Sequence, residues 1–259
     1  HNMIWGNPRE TARNLPKAKV ALHPTFFFPD DAGELTAVVD STPIIRRLEQ
    51  EQSGRSAIPN DPALAFINYL FEDFGDEWVT KYMFHYRWAF QADIEWGGKV
   101  LPLWMNTGLS PEQLAQAGKL IADRQVGRIG VVGSNETTRP VIEDSYKRFL
   151  ALWDAHLQQQ PFLLGARPSS ADYAVYGQLT QLVGVDPTPM ALAREISPRT
   201  VAWVDVVDDL SGLEPKDSDW IALEDQPESL TALLGEVGQM YVPALLANAK
   251  AVQAGDENW

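Results

Sequence analysis

Two spacings of apolar residues divide this chain. Up to about residue 52 they come in short runs broken by turn residues, and from about residue 63 they recur at helical intervals. Thr25–Phe28 is a continuous apolar run, as expected of a strand buried on both faces. Pro29-Asp30-Asp31-Ala32-Gly33-Glu34 has turn chemistry, and Leu35–Val39 reads as the returning strand. Ser41-Thr42-Pro43 opens a helix to about Gln52, with the proline tolerated in its first turn. Upstream, His1–Trp5 reads as the end of a strand and Arg9–Lys19 as a weakly helical connection. Ser53–Pro62, rich in Ser, Gly, Asn and Pro, reads as a linker between two domains, 1–54 and 62–255.

After the linker the helical period takes over. Ile67, Leu70, Phe71, Phe74 and Trp78 share one face, the pattern continues toward Trp88, and Gly75 marks a bend. Ser110-Pro111-Glu112-Gln113 is an N-cap, a first-turn proline and a capping-box partner, predicting a helix to roughly Ile129. Gly133–Arg139 is a polar loop, and Ile142, Tyr146, Phe149, Leu150, Trp153 and Leu157 mark the next amphipathic helix. Ser169-Ser170-Ala171-Asp172 begins another, and Val201–Leu210 and Leu230–Ala251 read as the last two. The fold class is therefore α/β followed by an all-α domain of about six helices.

Composition narrows the chemistry. The 259 residues are 45 % apolar and 10 % aromatic, with nine tryptophans, which is the make-up of a folded globular protein. A formal net charge of −14 repels phosphate backbones and anionic lipid, so neither nucleic acid nor a membrane is expected as a partner. The absence of cysteine excludes disulfides, thiolate metal sites and a cysteine nucleophile within these residues. No apolar run approaches eighteen residues, and a soluble cytoplasmic protein is expected. His1, His23, His85 and His156 lack metal-ligand spacing, so no metal is expected, and no glycine-rich phosphate loop stands between a strand and a helix.

The strongest local signal is Asp40-Ser41 at the start of the first helix. A helix N-terminus leaves backbone N–H groups unpaired and partly positive, so the hydroxyl and those amides can receive a carboxylate while the aspartate can meet an ammonium. The competing account is an ordinary cap, since Asp and Ser are common there. His23-Pro24 precedes the first strand, where a proline is well placed for a cis peptide. Phe162-Leu163-Leu164-Gly165-Ala166-Arg167-Pro168-Ser169-Ser170-Ala171-Asp172-Tyr173 ends in a capping box, which accounts for Asp172 as a structural residue. Tyr82, His85, Tyr86, Arg87, Trp88 and Phe90 form an aromatic and basic cluster, mostly core at this spacing, of which one or two are expected to line a pocket.

Together these motifs resemble the glutathione S-transferase family, with a partial thioredoxin-like domain followed by the all-helical C-terminal domain of that fold. The resemblance implies that Asp40 and Ser41 hold the γ-glutamyl end of glutathione. It also implies that the backbone of His23, before Pro24, pairs with the cysteinyl part; the family's usual residue at that place is small and aliphatic. Glutathione is then the co-substrate, a small apolar electrophile the acceptor, and the protein a homodimer. In such enzymes the thiol-activating residue sits on a first strand and helix, which would need roughly 25–35 more residues than precede Pro24. The resemblance thus places the catalytic residue upstream of His1. Two functions remain open: a transferase whose glutathione thiolate attacks the electrophile, or a non-catalytic binding or scaffold protein with the same fold.

Overall fold

The computed structural model describes residues 15–20, 22 and 24–256. The strand end expected at His1–Trp5, most of the Arg9–Lys19 connection, and His23 lie outside the described residues. The chain divides into two compact units between Ser56 and Ala57.

In the first unit, β1 (Thr25–Pro29) and β2 (Leu35–Val39) pair antiparallel with Phe27 opposite Ala37. The turn between them is built by Asp30, whose Oδ1 accepts from the amides of Ala32 and Glu34 at 2.9 Å each. Helix α1 (Ser41–Glu51) follows at once. Full burial of the β1 run is not what forms: Phe28 is 8 % exposed, but Phe26 on the same face is 38 % exposed and Phe27 on the other face is only half-buried. Among the described residues, one helix and a two-stranded sheet cannot enclose both faces. Arg47 lies over the Phe28 ring at 4.0 Å, covering an aromatic face with a guanidinium.

The second unit is helical. Asp61 caps α2 (Pro62–Asp73) through the amides of Ala63 and Leu64, so Pro62 opens this helix rather than closing the linker. The bend expected at Gly75 is a π-helical turn, Phe74–Val79, leading into α3 (Thr80–Ala89). A Cβ on Gly75 would meet the Val175 backbone nitrogen at 2.9 Å, so this glycine lets a neighbouring helix approach. Next come α4 (Gln91–Met105) and α5 (Pro111–Val126). They cross where Gly118 faces Gly98 so closely that a Cβ on Gly118 would lie 2.1 Å from the Gly98 oxygen. The expected capping box, Ser110 with Gln113, is present. The helix stops at Val126 rather than Ile129, with Gly127 following it and a short 3-10 turn at Ile129–Val132.

Helices α6 (Arg139–Leu157), α7 (Ser170–Gly184), α8 (Pro187–Ile196) and α9 (Pro198–Val207) complete the packing. Tyr82, Tyr146, Phe149, Leu150, Trp153, Leu163, Leu164 and Leu179 are buried in one continuous core. Burying each such side chain stabilises by roughly 1.5–3 kcal/mol. The final helix expected over Leu230–Ala251 is two: α10 (Glu228–Met240) and α11 (Val242–Ala254). Pro243 has no N–H to give the preceding turn, which accounts for the break. The stretch Glu228–Ala254 is long and apolar enough to cross a membrane, with mean hydropathy 1.3 in its most apolar window. Its interrupting residues Glu236, Gln239 and Asn248 hid it from the run-length reading. Leu230, Leu233, Val237 and Tyr241 pack into the core, while 28 % of the apolar window as a whole is buried and Leu246 and Val252 are exposed.

Candidate functional site

Asp40 is the N-cap of α1, its Oδ1 accepting from the Thr42 amide at 3.1 Å. Its backbone sits at φ 80 and ψ 127, and it is the only non-glycine residue with positive φ among the described residues. An ordinary N-cap lies in the β region and needs no such conformation. A side chain held there costs of order 1–3 kcal/mol, and such costs cluster at ligand sites. Ser41 is half-buried beside it, and Pro24 lies exposed immediately before β1. Asp40, Ser41 and Pro24 thus belong to one unit, and Asp40 with Ser41 forms the start of α1. His23, the fourth expected contact, lies outside the described residues.

In the helical unit, Asp172 returns the capping box to Ser169 and does more: its Oδ1 also accepts from the Leu163 amide at 2.8 Å. It therefore staples the loop before α7 to the helix start, a structural role. Next to it, Ser170 joins Asn68 and Glu72 of α2, with Asn68 Nδ2 donating to Ser170 Oγ at 2.7 Å.

The aromatic and basic cluster of α3 splits. Tyr82 enters a buried chain, accepting from Trp78 Nε1 at 2.9 Å and bonding Ser145, which donates to Glu236. His85 bonds Ser134 Oγ through Nδ1 at 2.7 Å and approaches Glu143 through Nε2 at 3.3 Å. Burial lowers the His85 pKa, so it is held neutral. Arg87 forms a two-pronged ion pair with Asp186. Tyr86 and Phe90 stack at 5.3 Å and line a cavity of about 460 Å³ with residues of α6 and α8, as expected of one or two members.

The Tyr86 hydroxyl is buried without a hydrogen-bond partner, and burial raises its pKa. A stranded polar atom costs about 1–3 kcal/mol, so Tyr86→Phe is expected to hold or raise the melting temperature. A chemical-denaturation midpoint lowered by this substitution would show that the hydroxyl has a stabilising partner such as a bound water.

Among the described residues no group of three or more His, Asp or Glu side chains is placed to hold a metal ion. Helix α8, which supplies one wall of this cavity, is not among the helices expected from the sequence, although Asp186-Pro187 has the form of a helix start.

No curated protein and no solved structure matches the chain. Residues 115–206 match the family model described as glutathione S-transferase, C-terminal domain, covering the chain from within α5 to within α9. With the α7 capping box inside that match, this stretch of the helical unit is similar to the C-terminal domain of glutathione S-transferases.

Proposed function

We propose that the protein is a glutathione S-transferase-like enzyme in which the thiolate of bound glutathione attacks a small apolar electrophile. The observation that carries this reading is the strained Asp40 backbone at the start of α1. The Ser41 hydroxyl and the helix N-terminus would receive the γ-glutamyl carboxylate. Asp40 gives one carboxylate oxygen to Thr42 and offers the other to the ligand ammonium. The backbone of His23, before Pro24, would pair with the cysteinyl part. The thiol would be held ionised by a hydroxyl hydrogen bond and helix dipole, a role assigned to none of Pro24, Asp40 or Ser41. Homodimerisation and a cytoplasmic location follow from the family resemblance, and light scattering on a sizing column tests the first.

The test is a glutathione titration by calorimetry, followed by conjugation of 1-chloro-2,4-dinitrobenzene. Ser41→Ala is expected to weaken glutathione binding by about tenfold, the worth of one hydrogen bond to a charged group. Asp40→Gly should weaken binding similarly while leaving the melting temperature unchanged or higher, because glycine takes φ 80 without strain. Equal binding in all three proteins would remove Asp40 and Ser41 from the site. A second reading, a non-catalytic binding protein, is favoured by the commitment of Asp40 to its own helix. Binding without conjugation would select it.

A further inference from the structure

The hairpin of α4 and α5 leaves its apolar residues uncovered. Residues 91–132 carry fifteen large apolar side chains, and none of them is buried. The buried residues of the two helices are Asp93, Gly97, Pro102 and Gly118. The hairpin is tied down at its base, where Asp93 holds Thr188 and a Cβ on Gly97 would meet the Trp88 ring at 3.3 Å. Among the described residues, no hydrogen bond or ion pair joins 99–126 to the rest of the unit. On α4, Trp96, Val100, Leu103 and Trp104 fall at i, i+4, i+7 and i+8, which is one face of a helix. Gly98, two residues from both Trp96 and Val100, faces α5, so this stripe lies on the opposite side of α4.

Area, symmetry and charge fit this stripe to a second copy of the chain. Trp96 is 43 % and Trp104 51 % exposed. Two indoles so placed present about 200 Å² between them, and the whole stripe roughly 400 Å². That is the low end for specific protein interfaces, which at standard size bury about 800 Å² per partner. The order of the stripe is symmetric about Val100, with a tryptophan four residues to either side. A two-fold partner running antiparallel therefore brings each Trp96 against Trp104 of the partner subunit, with Val100 meeting its own copy. The net charge of −14 drives copies apart, but residues 91–132 hold four acidic and four basic side chains, and Val100–Pro111 holds none. Two copies meet here without repulsion.

We propose that α4 is a homodimer interface, formed by antiparallel packing of the Trp96–Val100–Trp104 stripe on its own copy. The surface is read from α4 alone and uses neither Asp40 nor Ser41, so it stands if the glutathione reading fails.

Sedimentation velocity of the full chain from about 1 to 200 μM is expected to show a monomer–dimer equilibrium with a Kd of about 10 μM, in keeping with an interface of that size. Val100→Glu and Val100→Arg each set like charges together at the two-fold centre and should leave monomers throughout that range. An equal mixture of the two should dimerise again, which also shows that both variants are folded. Trp104→Gln, at an exposed position, should weaken the native dimer by about tenfold or more. Glutathione binding by calorimetry should be the same in the native protein and Val100→Glu, so that the two readings fail separately. A chain that is monomeric at the highest concentration overturns the proposal. So does a dimer that survives Val100→Glu, or a charge-swapped mixture that stays monomeric. A monomer that floats with phosphatidylcholine vesicles also overturns it and assigns the stripe to a lipid surface.

Discussion

Asp172→Ala is expected to lower the melting temperature by about 6–20 °C. Three donors converge on this carboxylate: the Leu163 amide at 2.8 Å, the Ser169 amide at 2.8 Å and the Ser169 hydroxyl at 2.7 Å. Leu163, Ser169 and Asp172 are all fully buried, so water cannot replace the lost acceptor without opening the loop. Each stranded buried donor costs about 1–3 kcal/mol, and partial relaxation brings the total to roughly 3–5 kcal/mol. At about 2–4 °C per kcal/mol for a unit of this size, that gives the stated shift.

Acidity provides a second reading of the same group. Burial pushes the Asp172 carboxyl up to about 6, against the pull of its hydrogen bonds toward ionisation. An acid whose folded pKa is raised contributes stability that is present at low pH and lost as pH rises through the interval from its unfolded value, near 3.8, to about 6. The stability gap between the native protein and Asp172→Ala should therefore narrow as pH rises from 4 to 6. Unchanged melting with lost glutathione binding would make Asp172 a functional residue instead of a structural staple.

The devices that the sequence makes legible are local ones. The Asp30 turn, the Ser110–Gln113 box and the Ser169–Asp172 box each place donor and acceptor within four residues, so composition at fixed offsets reveals them. What stays hidden depends on distant partners. Helix α4 contains Gly97, Gly98 and Pro102, and leaves Trp96, Trp104 and Met105 exposed, so it shows neither clean periodicity nor favourable propensity. It forms because Gly98 lets α5 pack closely and because Asp93 reaches the start of α8, accepting from the Thr188 amide at 2.9 Å. That bond joins residues far apart in sequence, and it ties the first turn of α8 to α4. Of the candidate site, the Asp40–Ser41 pair was visible as residue types, but the φ of Asp40 was not. Only the backbone distinguishes this helix start from an ordinary cap.

Arg87 carries the second large expectation, because it neutralises a carboxylate that water does not reach. Its Nε donates to Asp186 Oδ1 at 2.8 Å and its second nitrogen to Oδ2 at 2.9 Å, while the same nitrogen holds Gln181. The Asp186 side chain is 0 % exposed. Arg87→Met leaves the volume nearly filled but removes the counter-charge, which for a buried pair costs about 3–5 kcal/mol. Burial already raises the Asp186 pKa, Arg87 pulls it back, and the nearby Asp93 pushes it further up. Without the guanidinium, the pKa rises again, so the cost falls hardest at neutral pH and eases as pH drops and Asp186 takes up a proton. Unfolding by denaturant should therefore show Arg87→Met strongly weakened at pH 7 and closer to the native protein near pH 5. Adding Asp186→Asn removes the stranded charge and should return more than half of the loss at pH 7. A double variant no more stable than Arg87→Met alone would mean that the arginine works by packing α3 against α8 and not by its charge.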